Sequence, residues 1–433
     1  SLVFNNYASD ADDATLTRTV GTTSNRRTFT HSFWVKRTRL GYGMIFGHTD
    51  ASGSYFFNFV FNSDDKIEFN EYRYNESPSN KIRLITTRLF RDVTSWYHIV
   101  TAVDTTQVTA ANRVKIYVNG VQLTDFTTAI YCDQNHDTYF NSTSPYATMR
   151  IGLNGWGYGG ANCYLAEFNA VDGYAYDPSY FGFTESQTNI WMPKRYGGTY
   201  GTNGFRLDFS DNSSITNMVK DKSGNGNHFS PDNCNTEDSM LDTPSNTFAT
   251  LNPLSTSVNT LSQGNLYSTG GGASWRPVSS DMAMSSGRWY WEVYIDTVSS
   301  YQIHGIRPQI RDDGDVNHDN DYYPGTYSDE WGYDGRGYLH NSASPDTSWG
   351  DSYAAGDILG FALDMDAGTL NMYKNGSSTG SQITGISASH SPSGSRGDYL
   401  VCLCVYGSTG QAIINFGQEG TFAGHKAAQN NTD

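Results

Sequence analysis

Five oxygen-bearing side chains fall at alternate positions of one short acidic stretch, Asp312-Asp-Gly-Asp-Val-Asn-His-Asp-Asn-Asp321: Asp313, Asp315, Asn317, Asp319 and Asp321. Calcium takes about six to eight hard oxygen ligands, and a loop of this composition can supply them. Calcium is therefore the one cofactor the residues suggest. The EF-hand pattern itself fails, because His318 stands where that loop needs Gly and Pro324 where it needs Glu. The plainer reading is a solvated acidic loop. A second candidate is Asn154-Gly-Trp-Gly-Tyr-Gly-Gly160, which shows two aromatics on a glycine-rich loop with little to pack. Sugars lay their apolar face on Trp and Tyr and hydrogen-bond to Asn and Asp. Asn154, Trp156 and Tyr158 are thus candidate glycan-binding residues, joined in the second half by Tyr323 and Trp331. The alternative is that these rings cap a core or meet a neighbouring subunit.

Hydrolysis has a stricter requirement. A retaining glycosidase holds two carboxylates about 5–5.5 Å apart and an inverting one about 6.5–9.5 Å. On a strand, alternate residues share a face. Glu68-Phe-Asn-Glu71 puts its carboxylates on opposite faces, and Glu167 with Asp172 fails the same parity test. No catalytic residue is expected, and the chain is read as a non-enzyme. Gly376-Ser-Ser-Thr-Gly380 spells a nucleophile elbow but follows a hairpin, where the strand-to-helix turn that motif needs is missing. Cys402 and Cys404 sit two apart in an apolar run and read as small core residues. An odd total of five cysteines is no disulfide framework.

The elements that must position these residues are strands. Aromatics make up 14% of the chain and 44 residues are Gly, a composition of strands and turns. Alternating or aromatic runs recur at 29–35, 55–61, 96–104 and 114–118, and again at 288–294, 357–363, 369–373 and 399–405. Asn119-Gly120 and Asn375-Gly376 each join two such runs, and this dipeptide suits a type I′ turn, which needs positive φ at both positions. A polar, Pro-containing stretch over 233–261 reads as a crossing linker. The expected fold is all-β: two tandem antiparallel sandwiches, 1–232 and 262–420, with a tail at 421–433. A net charge of −16 argues against nucleic acid as a partner. No apolar run is long enough to span a membrane, and the opening residues do not read as a secretory signal.

Particular strings carry resemblances. Ser95-Trp-Tyr-His-Ile-Val-Thr-Ala-Val-Asp104, Val114-Lys-Ile-Tyr-Val-Asn-Gly120 and Tyr164-Leu-Ala-Glu-Phe168 resemble the laminin-G/pentraxin-like jelly roll of the concanavalin-A-like superfamily. Asp221-Lys-Ser-Gly-Asn-Gly-Asn227 is similar to a loop that opens this domain in the family but closes it here, which points to a rearranged strand order. Gly287-Arg-Trp-Tyr-Trp-Glu-Val293, Gly356-Asp-Ile-Leu-Gly-Phe-Ala-Leu-Asp364 and Gly368-Thr-Leu-Asn-Met-Tyr-Lys-Asn-Gly376 resemble a SPRY domain.

Together with Thr243-Pro-Ser-Asn-Thr-Phe-Ala-Thr-Leu-Asn-Pro-Leu254, Arg37, Asp104-Thr-Thr-Gln107 and Asp177-Pro-Ser179, the arrangement looks like structural proteins of marine and cyanobacterial bacteriophages. That resemblance implies a virion-surface protein assembled in the host cytoplasm: a tail fibre, receptor-binding protein or capsid-surface fibre. Its implied partners are other virion proteins, a host-surface glycan or protein, and further copies of itself, with a trimer favoured. Rival readings are a purely structural decoration or fibre subunit, and a glycan depolymerase. No heptad stalk or β-helical shaft is visible, which weighs against a long fibre.

Overall fold

A computed structural model describes residues 1–6, 13–49, 54–143, 148–153, 159–255, 259–298, 301–310, 323–342, 347–387, 396–407 and 409–427. The chain divides into two compact units, Ser1–Thr247 and Phe248–Asp433.

The first unit is built on two large antiparallel sheets, with a small two-stranded one, Gly182–Thr184 and Trp191–Pro193, beside them. One runs Leu2–Phe4, Cys163–Asp172, Thr28–Arg37, Tyr97–Asp104, Val114–Val118, Val121–Leu123, with Phe205–Leu207 also paired to Cys163–Asp172. The other runs Phe126–Ile130, Asn80–Leu89, Lys66–Arg73, Tyr55–Phe61, Gly43–Thr49, Thr148–Ile151, Thr15–Thr19, Ser230–Asp232. Inward residues of alternating strands meet as rings between the sheets. Phe33 of one sheet meets Phe59 of the other edge-on at 5.3 Å, and Phe168 likewise meets Phe46 at 5.4 Å. The Asn119-Gly120 turn has φ of 49° and 82°, the signs its dipeptide demands.

An ordinary sandwich strand alternates between core and water. Thr28–Arg37 does not: every residue after the first is buried. Its outward side is covered by a third layer. Trp34 stacks on His98 at 4.7 Å, and Trp191 stacks on the same imidazole at 5.9 Å while its Nε1–H donates to His98 Nδ1 at 2.9 Å. Val100, Val171, Phe181, Tyr196 and Tyr200 form a second apolar cluster beside them.

The Asp221–Asn227 loop turns out to be a structural knot. Asp221 accepts from the amides of Arg206, Ser223 and Asn227, while Asn225 and Asn227 donate to the carbonyl of Gly204. Ser230–Asp232, just after it, pairs with the early strand Thr15–Thr19, so a late segment completes the sheet edge beside an early one.

The second unit repeats the plan. One sheet runs Thr260–Ser262, Tyr267–Thr269, Gln411–Asn415, Arg288–Thr297, Ile358–Asp364, Thr369–Lys374, Ser377–Thr384. The other runs Gly272–Ser279, Arg396–Gly407, Gln302–Ile310, Trp331–Asp334, Tyr338–His340, Thr347–Ser348. Trp291 lies flat on Phe361 at 5.3 Å, and Cys402 and Cys404 are fully buried.

The stretch 233–261 is anchored on both sides of the division and forms no free connector. Asp242 takes an ion pair from Lys36 and a hydrogen bond from Trp96, and Met240 pairs with Ser1. Beyond the division, Thr250 bonds Asp281 and Leu251 bridges to Ser280.

Candidate functional site

Asn154, Trp156 and Tyr158 lie outside the described residues, as do Asp313, Asp315, Asn317, Asp319 and Asp321. Among the described residues no group of three or more His, Cys, Asp or Glu could hold a metal ion. The two predicted aromatics of the second unit are described, and neither offers an open ring. Trp331 is 8% exposed and packs on Tyr399, so it belongs to the core; the Trp291-like burial of a strand residue overrides its reading as a sugar platform. Tyr323 is half-buried between Trp275 at 4.6 Å and His340 at 5.2 Å.

The base of the predicted glycine-rich loop is described, and it borders a cleft of about 320 Å³ in the first unit. Strand Thr28–Arg37 ends there in a turn that Arg37 holds from below. Its guanidinium donates to the carbonyls of Phe90 at 2.6 Å and Gly41 at 2.8 Å and to Asp65 at 3.1 Å, and lies over the Phe61 ring. Burial alone would raise the Asp65 carboxyl. The Gly41 amide, Arg91 and Arg37 outweigh that and hold it below its ordinary value. The turn then presents Tyr42, 43% exposed, as one wall.

The opposite wall is Gly159-Gly160. Gly159 has φ of +68°, and a Cβ there would sit 2.3 Å from the Tyr42 ring; a Cβ on Gly160 would sit 2.2 Å from Asn6 Nδ2. Two missing side chains thus let a ring and an amide close on the backbone. The Asn162 side chain grips the Asn6 backbone twice, accepting from its amide at 3.0 Å and donating to its carbonyl at 2.9 Å. Asn6 also donates through Nδ2 to the Gly152 carbonyl at 2.9 Å, which leaves its buried Oδ1 without a partner among the described residues. A buried acceptor of this kind costs roughly 1–3 kcal/mol when unsatisfied. Asp13 is the one carboxylate among the described residues lining the cleft.

The carboxylates weighed for hydrolysis are engaged elsewhere. Glu71 is fully buried and bonded to Arg73 and His136, Glu68 pairs with Arg83, and Glu167 takes a two-pronged contact from Arg206. Asp172 accepts from Asn25, Asn141 and Asn203. Sequence reasoning missed Asn6, Tyr42 and Asn162. Only the Gly41-Tyr-Gly43 string, matching the glycine-flanked aromatics of the later loop, could have signalled them.

Residues 9–168 match the family described as Concanavalin A-like lectin/glucanases superfamily, and residues 288–418 match the SPRY domain. No curated protein matches the chain. Similar solved structures include the SPRY domain of human HERC1, 20% identical over 35% of this chain and 89% of that one, TM-score 0.27. A native heptameric SAP-like pentraxin from Limulus polyphemus is 16% identical over 40% of this chain and 76% of its own, TM-score 0.29. Stonustoxin is 22% identical over 39% of this chain and 27% of its own, TM-score 0.29. The chain thus carries a concanavalin-A-like fold followed in tandem by a SPRY fold.

Proposed function

We propose that this chain is a non-catalytic recognition protein whose first domain binds a glycan in the Tyr42 cleft. The observation that carries the reading is the pairing of a half-exposed ring with a buried, unpartnered acceptor, Asn6 Oδ1, on either side of Gly159-Gly160. A sugar needs both an apolar face to rest on and hydrogen-bond partners at its edge. The test is a printed glycan array read with the full chain and with Tyr42→Ala. Loss of about tenfold or more in signal on the substitution is expected, and unchanged binding would overturn the site.

The place of action we propose is a virion surface, where the bound glycan or protein belongs to the host. The phage-like strings around Asp177-Pro-Ser179 and Thr243–Leu254 support it. Mass spectrometry of purified phage particles tests this, and absence of the chain from particles would refute it. Calcium on the acidic loop Asp313–Asp321 is part of the same proposal, tested by melting with and without millimolar calcium. A structural role has its own support: Trp289 and Tyr290, on opposite faces of strand Arg288–Thr297 in the second domain, are 45% and 51% exposed, and either ring could meet another copy. Sedimentation would show a trimer or other oligomer if either ring is used.

A further inference from the structure

Asp104-Thr-Thr-Gln107 and Asp177-Pro-Ser179 lie far apart in the chain, yet both contribute to one pocket of about 310 Å³ on the outward face of the first sheet. Ala102, Lys115 and Tyr117 share that face: Lys115 pairs with Ala102 across the strands, and Tyr117 pairs with Val100, whose side chain belongs to the outer apolar cluster. The small Ala102 leaves the hollow. Tyr117 and Tyr176 line it, and Asp104, Gln107, Asn112, Lys115 and Asp177 bring polar groups to it.

The aromatic side of the pocket is held firmly. Buried Thr30 donates to the Tyr174 carbonyl at 2.7 Å and accepts from the Tyr176 amide at 2.8 Å, pinning that backbone to the sheet. Asp177 caps the short turn Pro178–Tyr180 by accepting from the Ser179 amide at 2.8 Å. Tyr176 then stacks on Tyr180 at 4.1 Å and on Tyr174 at 5.4 Å, and behind it Tyr196 and Tyr200 have their hydroxyls bonded to Thr199 and Asn169. Tyr174 and Tyr180 remain 48% and 43% exposed, so the stack leads from the pocket out to solvent.

Charge narrows the ligand. Burial pulls the Asp104 carboxyl up, but hydrogen bonds from Thr106 and Gln107 outweigh it and keep the group ionised at neutral pH. Two carboxylates, Asp104 and Asp177, face one ammonium, Lys115, which disfavours anionic sugars. Lys115 and the Tyr117 hydroxyl make no hydrogen bond within the chain among the described residues, leaving donors for ligand oxygens. At about 310 Å³ the volume stands at the low end of small-molecule pockets, which run from roughly 300 Å³ upward.

We propose that this pocket is a second carbohydrate site, taking one neutral hexopyranose unit, with the adjoining unit of the glycan lying on the Tyr174 or Tyr180 ring. It stands on residues separate from the Tyr42 cleft. The test reads a printed array of neutral, sialylated and sulfated glycans with the full chain carrying Tyr42→Ala, alone and combined with Ala102→Phe, which fills the hollow, or Tyr180→Ala, which removes an exposed ring. Neutral glycans should still bind the Tyr42→Ala protein. That binding should fall at least about tenfold with Ala102→Phe and about fivefold with Tyr180→Ala, whose surface position spares the fold. Neutral binding indifferent to both, binding to sialylated or sulfated glycans alone, or no binding once Tyr42 is removed would overturn the second site. That last pattern would leave the cleft reading standing. Binding sensitive to Ala102→Phe and Tyr180→Ala but not to Tyr42→Ala alone would do the reverse.

Discussion

Replacing Asp242 by Asn should unfold the first domain far below its normal temperature. Lys36 Nζ lies 3.0 Å from Asp242 Oδ2, with the two side chains 1% and 0% exposed, and Trp96 Nε1 donates to Oδ1 at 2.8 Å. Asn keeps an acceptor for Trp96 and nearly the same shape, so the change isolates charge. It leaves the Lys36 ammonium buried without its counter-charge, a situation that costs about 3–5 kcal/mol. A domain of this size loses about 2–4 °C for each kcal/mol, which sets the expected drop at roughly 6–20 °C. Scanning calorimetry of the full chain reads it as a shift in the first domain's transition alone. The double change Lys36→Met with Asp242→Leu removes both charges and should recover most of the loss, because well-packed apolar replacements of buried pairs are often neutral. A drop of under about 2 °C for Asp242→Asn would refute the reasoning, since the pair would then be solvated and the 233–247 segment not anchored as described.

Acid should weaken the second domain through His304. Burial pushes its pKa down to about 3, and both ring nitrogens lack partners among the described residues, so it is neutral when folded. The unfolded chain protonates it near the ordinary value of about 6.5 and therefore binds the extra proton between those limits. Stability then falls as pH drops through that window, by about 1.4 kcal/mol per pH unit. Denaturant titrations from pH 7 to 4 should show this slope, and His304→Leu should flatten it.

Gly159→Ala forces an L side chain to φ of +68° and against the Tyr42 ring. It should cost about 1–2 kcal/mol of stability and weaken glycan binding, measured by melting and by array. Burial raises the Cys132 and Cys234 thiols to about 12 and Cys163 well up, while Cys402 and Cys404 are fully buried. Ellman's reagent should therefore leave the native chain unlabelled over minutes and label all five thiols after denaturation.

The sandwiches were legible because period-2 runs and Asn-Gly turns are local signals; both turns have the positive φ their residues require, 49° and 82° at the first and 49° and 80° at the second. The third layer was not. Its members, Trp191, Tyr196 and Tyr200, sit in a stretch with no periodicity, and only the three-dimensional fold lays them over Thr28–Arg37. The role of Asp242 within the crossing segment 233–261 left no mark in the sequence, because a polar composition cannot tell a solvated carboxylate from one paired with a buried lysine. Part of the Tyr42 cleft was visible as Gly159-Gly160. Asn6 and Tyr42, distant in sequence, reach it through strand pairing and one turn. Trp331 read as exposed because a Trp among tyrosines in a Gly-rich stretch looks like surface, yet its strand position turns it onto Tyr399.

The most direct test of recognition without catalysis is to incubate the full chain with the best-bound array glycan and assay binding and reducing ends together. The account predicts saturable binding, reduced by Tyr42→Ala, with the glycan recovered intact. Release of new reducing ends, or no binding to any glycan on the array, would contradict it.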